Sequence, residues 1–128
     1  LSTASLFSLP PRQGLIRFLH VFIEAWTVKK LGKVHVLGFC SSFSELEVEL
    51  AYRSFLYNPL FKVVEDRLSH WMSTQKLRKG DAALASSQLL SPVFMKLMIE
   101  QNHLQPISQS GWEAFLRQHV AAFFSGWW

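Results

Sequence analysis

Apolar side chains recur every three to four residues over the segment 15–26, which is the period of an amphipathic α-helix. The pattern begins after Pro10 and Pro11 and stops before Gly32. Proline suits the first turn of a helix and glycine often follows the last turn, so we expect a helix between them, after an irregular lead-in over residues 1–11. Its predicted buried stripe is Leu15, Phe18, Leu19, Phe22, Ile23 and Trp26.

Three later segments also favour helix. The first starts at Pro59 and extends to about position 75, with a polar break after it. The second is predicted to begin at Ser91 and to end before Pro106. The third follows that proline and carries apolar residues at helical spacing as far as position 123, with Ser108 or Ser110 as its cap.

The segment between the helix predicted after Pro11 and the one predicted from Pro59 is ambiguous. Residues 33–39 are rich in Val and bulky side chains, which favours a short strand or an extended connector. From position 45 to 52 glutamates and apolar residues alternate, as in a strand, yet Ser44 and Glu47 form a capping box that favours helix. We expect a helix over about 44–57, with a β-hairpin within 33–52 as the alternative.

These patterns predict a mainly α fold, namely an irregular four- to five-helix domain, with α+β as the alternative. The 128 residues fit one domain over 1–128, and 49% apolar against 17% charged residues argues against a disordered chain. The lone Cys40 cannot form an intrachain disulfide, which favours the reducing cytoplasm. We identified no apolar run of the roughly 20 residues that span a bilayer, so no transmembrane segment is expected.

The C-terminus is unusually apolar for a chain end, since ends are ordinarily polar and frayed. Packing back onto the domain is one explanation for these rings, and docking onto a partner, a second copy or a membrane interface is another. The candidate partner-binding residues are Trp112, Phe123, Phe124, Trp127 and Trp128.

Basic residues form two short clusters in a chain whose formal net charge is +4. Such clusters can contact phosphates, although helix ends also favour cations and the surplus is modest for a nucleic-acid binder. The candidate nucleic-acid contacts are Lys29, Lys30, Lys33, Lys76, Arg78 and Lys79.

Two carboxylate–histidine pairs lie at helical spacing, Asp66 with His70 and Glu100 with His103. Side chains three or four residues apart share a helix face, so the pairs are weak candidates for metal ligands. A carboxylate-bridged site needs more such ligands than the chain offers, so no metal is favoured. The scattered glycines form no phosphate loop, and no cofactor is predicted.

No catalytic motif emerges from the serines, histidines or Cys40. The sequence therefore favours a non-catalytic interaction, adaptor or assembly module that binds a protein partner or a second copy, as in a homodimer, through an apolar and aromatic surface. The alternatives are a small nucleic-acid-associated protein and a small-molecule binder or enzyme with an aromatic-lined pocket.

Overall fold

The computed structural model describes residues 8–27, 46–54, 58–102 and 109–127, and most of them are helical. In chain order the helices are α1 (Pro11–Thr27), α2 (Leu46–Tyr52), α3 (Asn58–Ser73), α4 (Ala82–Asn102) and α5 (Gln109–Trp127).

The mainly α prediction is confirmed. The described ranges contain no strand, and the second half of the proposed hairpin is helical over Leu46–Tyr52, so the hairpin alternative is not supported. Its first half, residues 33–39, lies outside the described residues. Within the described ranges the framework consists of four long helices, so the upper count of five is not supported. The described apolar side chains of the seven-residue α2, Leu46 and Leu50, are exposed.

Helix α4 lies at the centre of the arrangement, because it contacts both α3 and α5, while α1 contacts α5. The start of α5 lies beside the end of α4, where the Trp112 indole bonds to Glu100. The end of α5 lies beside the start of α4, where Trp127 bonds to Gln88. These two contacts show that α4 and α5 run antiparallel.

The buried side chains of the four long helices form one apolar cluster. The stripe predicted for α1 faces it: Leu15, Leu19, Ile23 and Trp26 are buried, and Phe18 and Phe22 are partly so. At the end of α1, Trp26 meets the α4 residue Phe94 edge to face, with ring centroids 5.2 Å apart. The local pattern of α1 therefore identified its inward face correctly.

Helix α3 ends in a Schellman motif whose reversing residue is not glycine. The amides of Gln75 and Lys76 donate to the carbonyls of Met72 and Trp71, at 3.3 and 2.8 Å. Gln75 adopts the left-handed conformation, with φ of 64°. The chain reverses here, and the next apolar residue, Leu77, is buried in the core.

The predicted start of the fourth helix at Ser91 is wrong, because α4 already begins at Ala82. Its cap is Asp81, whose Oδ1 accepts hydrogen bonds from the amides of Ala83 and Leu84 at 2.9 and 3.2 Å. Pro92 lies inside the helix instead of in its first turn. The run 82–90 contains no charged residue, and the two sides of this helix differ little in polarity. Hydrophobic periodicity therefore does not predict the helix there.

Candidate functional site

The aromatic residues of the C-terminal helix, which are the predicted partner contacts, lie inside this domain. Phe123, Phe124 and Trp127 are buried, and so is Trp112 at the other end of α5. Trp128 lies outside the described residues. The four described rings therefore build the core and leave little surface of their own for a partner.

Trp127 is held from several sides by the start of α4 and the loop before it. Its Nε1–H donates to the Gln88 side-chain oxygen at 2.8 Å. The Arg78 guanidinium lies 5.2 Å from the ring centroid, and the Arg78 amide donates to the Trp127 carbonyl at 2.8 Å. Gly80 faces the ring and leaves room for it. This chain end is docked on its own domain.

A second polar cluster joins the end of α4 to the start of α5. The Trp112 Nε1–H donates to Glu100 Oε2, and Lys96 Nζ lies 2.9 Å from the other oxygen of the same carboxylate. The Lys96 ammonium also lies 5.3 Å from the Trp112 ring centroid and 5.4 Å from that of Phe115. Glu100 thus makes an ion pair within α4 and a hydrogen bond that joins α4 to α5.

The weak metal candidates are not brought together. Asp66 and His70 are exposed on α3, Glu100 belongs to the cluster with Lys96, and His103 lies outside the described residues. Asp66 instead forms an ion pair with Lys62, with Oδ1 2.9 Å from Nζ. The hydrogen bond from Lys62 to this carboxylate raises the pKa of Lys62. Within the described ranges, no three His, Cys, Asp or Glu side chains form a group that could hold a metal ion.

Of the basic candidates, one cluster lies outside the described residues: Lys29, Lys30 and Lys33. The other is exposed in the loop between α3 and α4, and we call Lys76, Arg78 and Lys79 the basic loop. These residues border a shallow depression with Met72 and Leu77 at its base. Arg78 is engaged with Trp127, so Lys76 and Lys79 are the side chains best placed for an outside ligand.

Another surface depression, of about 530 Å³, lies where α1 begins beside the end of α5. It is lined by Pro10, Pro11, Arg12, Phe124 and Ser125. The Arg12 guanidinium lies 5.4 Å from the Phe124 ring centroid. Among the described residues that line it, Arg12 is the one titratable side chain, so these residues offer no acid–base pair of the kind that the enzyme hypothesis requires.

The outer face of α4 exposes several large apolar side chains, a feature that the sequence analysis missed. Leu84, Met95 and Ile99 are about half exposed there, and the exposed Gln88, Ser91 and Pro92 lie between them. At about 100° per residue, these six positions fall within about 100° of arc. We call this set the α4 stripe. Part of it borders a groove with Lys96 and Glu100 at its edge.

A signal for the α4 stripe was present in the sequence. Residues 82–95 contain no charged side chain, so both sides of this helix are uncharged. One side is in the core, through buried residues such as Leu89, Val93 and Leu97. The other side carries exposed polar residues, Gln88 and Ser91, among its exposed apolar ones. The half-exposed Leu84, Met95 and Ile99 are therefore the side chains that call for a functional explanation.

The same composition makes α4 a candidate membrane span. Over Ala82–Glu100 it is long and apolar enough to cross a bilayer, with a mean hydropathy of 1.4, and 44% of the span is buried inside the fold. Core helices of soluble proteins meet the same criterion, so length and composition alone are weak evidence for a membrane location.

The chain matches no protein-family model, no curated protein and no solved structure.

Proposed function

We propose that this chain is a non-catalytic helical interaction module that binds its partner through the α4 stripe. The observation that carries the proposal is the half-exposed set of apolar side chains Leu84, Met95 and Ile99, on a helix whose other side is core. Exposing such residues to water is unfavourable by about 25 cal/mol per Å² of apolar surface, and docking recovers this free energy.

The binding residues proposed here differ from those expected at the chain end. The rings of Trp112, Phe123, Phe124 and Trp127 supply the rigid core, and the stripe supplies the contact surface. The Lys96–Glu100 ion pair at one edge of the stripe resembles the polar rim that surrounds an apolar interface centre. The arrangement supports recognition by shape and burial, without a chemical step.

Site-specific photocrosslinking tests this function. A benzophenone amino acid replaces Met95 in one variant and Leu50 in the other, and both are irradiated in the cells that produce the protein. The two side chains are equally exposed, at 56% and 57%, but Leu50 lies on α2. We expect a discrete protein adduct from position 95 and a much weaker one from position 50.

Equal labelling from the two positions would contradict a binding role for the stripe, and so would the absence of a discrete adduct at position 95. Circular dichroism of each variant supplies the folding control, since both positions project into solvent and the helices should be retained.

A second candidate function is phosphate-backbone contact by the basic loop, which presents three exposed cationic residues together. The test is oligonucleotide binding across a salt series for the native chain and for Lys76→Gln/Lys79→Gln. This candidate requires affinity at low salt that falls in the double variant, with a shallower salt dependence. Undetectable affinity of the native chain at low salt would exclude it.

A further inference from the structure

We infer that one end of this domain docks on an anionic membrane surface, where basic side chains meet the lipid headgroups and two leucines enter the interface. We call it the basic end, and it comprises Leu9, Arg12, the basic loop and Leu84. The inference does not rest on the proposed function, because it requires no partner at Met95 or Ile99.

Segments that are distant in sequence meet at the basic end. The guanidinium of Arg12, in the first turn of α1, lies 5.4 Å from the ring centroid of Phe124. The guanidinium of Arg78 lies 5.2 Å from the ring centroid of Trp127, which belongs to the same last turn of α5. The basic loop leads directly into α4, so the start of α4 lies at this end as well.

The cations of the basic end are not neutralised by described carboxylates. Within the described ranges, no ion pair involves its four cations: Arg12, Lys76, Arg78 and Lys79. Its acidic residue, Asp81, is engaged in capping α4. By contrast, Lys62 on α3 pairs with Asp66 at 2.9 Å. Lys96 pairs with Glu100 at the same distance, near the other end of α4. The positive charge of the basic end is therefore available to an outside anion.

Two exposed leucines border these cations. Leu9 lies three residues before Arg12 and is 36% exposed. Leu84 lies five residues after Lys79, in the first turn of α4, and is 50% exposed. Side chains on an α-helix lean toward its N-terminus, so Leu84 leans toward the basic loop. Single exposed leucines are common on protein surfaces, but here two of them from separate segments lie beside unpaired cations.

A lipid surface accounts for both features of the basic end. Anionic headgroups attract clustered Lys and Arg residues, and apolar side chains beside those cations are buried at the boundary with the acyl chains. A nucleic-acid backbone or an acidic protein would engage the cations but would leave Leu9 and Leu84 without a role. Contact at the membrane surface also leaves α4 in the core, where Leu89 and Leu97 are fully buried.

The expected binding is reversible and depends on salt. Each basic residue near an anionic surface raises the affinity about fivefold, and salt screens this attraction over about 10 Å at 0.1 M ionic strength. Burial of a half-exposed leucine adds about three- to fivefold. We therefore expect the chain to bind anionic vesicles at low salt and to leave them as the salt concentration rises.

Vesicle flotation of the purified full chain tests the charge requirement. The native protein should float with vesicles that contain phosphatidylserine, and much less with vesicles of phosphatidylcholine alone. Arg12→Gln should weaken binding about fivefold. Arg117→Gln is the matched control, because it removes an exposed arginine that lies ten residues before Trp127, about 15 Å back along α5 from the basic end. It should have a much smaller effect.

The leucine requirement has a control on the same helix. Leu84→Gln should weaken vesicle binding about three- to fivefold. Ile99→Gln should leave it unchanged, because Ile99 is equally exposed, at 49%, but lies about 22 Å further along α4. An environment-sensitive dye on Leu84→Cys, in a Cys40→Ser background, should shift to the blue when anionic vesicles are added, and the same dye on Ile99→Cys should not. Circular dichroism verifies that each variant folds.

The inference fails if the native chain does not float with anionic vesicles at low salt. It also fails if the two arginine variants weaken binding equally, or if the two glutamine variants of α4 do. Tighter binding to oligonucleotides than to vesicles, with no effect of Leu84→Gln, would assign the cations to nucleic acid instead. Binding that resists high salt and alkaline carbonate would make α4 a membrane span. A protein adduct from position 95 without vesicle binding would overturn this inference and leave the proposed interaction function intact.

Discussion

The indole of Trp127 occupies the space that a side chain at position 80 would need. A Cβ added to Gly80 would lie 2.6 Å from Cζ3 of Trp127, well inside van der Waals contact. The ring is fixed at its polar edge by Gln88, so it cannot withdraw without losing a hydrogen bond. Glycine at position 80 is thus a condition for docking the end of α5 against the start of α4.

The first prediction concerns this close approach. Gly80→Ala should lower the free energy of unfolding by about 1–3 kcal/mol, because a rigid ring and the backbone must move apart. Gly126→Ala is the matched control, since a Cβ there meets nothing within 4 Å and alanine favours helix. Urea unfolding followed by circular dichroism measures both. Equal losses of stability would contradict the role assigned to Gly80.

The second prediction concerns the hydrogen bond from Trp127 to Gln88. Gln88→Leu should destabilise the fold by about 1 kcal/mol, because the indole N–H of Trp127 loses its acceptor. Gln88→Glu keeps an acceptor and should cost less. In a Trp127→Phe background, which lacks the donor, Gln88→Leu should have almost no effect. Additive losses in this double-mutant cycle would show that the two side chains do not interact.

The third prediction concerns the end of α3. Gln75 adopts a left-handed conformation that is strained for a residue with a Cβ, at φ of 64°. Gln75→Gly should therefore raise the free energy of unfolding by up to about 1 kcal/mol, because glycine adopts this conformation freely. Gln75→Val should lower it. A thermal unfolding series checks the order Gly, Gln, Val, and the reverse order would exclude the Schellman ending.

The fourth prediction contrasts the two sides of α4. Leu97→Ala should destabilise by about 2–5 kcal/mol, because Leu97 is fully buried and its removal leaves a cavity. Leu84→Ala should change stability by less than about 0.5 kcal/mol, because Leu84 is half exposed. Chemical unfolding of both variants tests which side of the helix faces the core, and similar losses would contradict the assignment.

Local pattern predicted the elements whose two sides differ in polarity. In α1 the apolar positions recur at helical spacing among Arg and Glu, and this contrast identified the core side, with Leu15 and Leu19 fully buried. In α4 the run 82–90 has no charged residue, so its pattern does not predict the helix that Asp81 caps. A hydrophobic pattern is informative only where the surroundings of the helix are polar on one side.

The sequence by itself determined that this chain is mainly helical, because helical periodicity and start and stop signals depend on residues a few positions apart. Only the tertiary structure decided which apolar side chains are covered. Trp127 is buried because residues some forty positions earlier, Gln88 and Gly80, meet it in space, whereas Met95 stays exposed on the outer face of α4. Burial depends on contacts between segments that are distant in sequence, and the spacing of apolar residues along the chain does not predict those contacts.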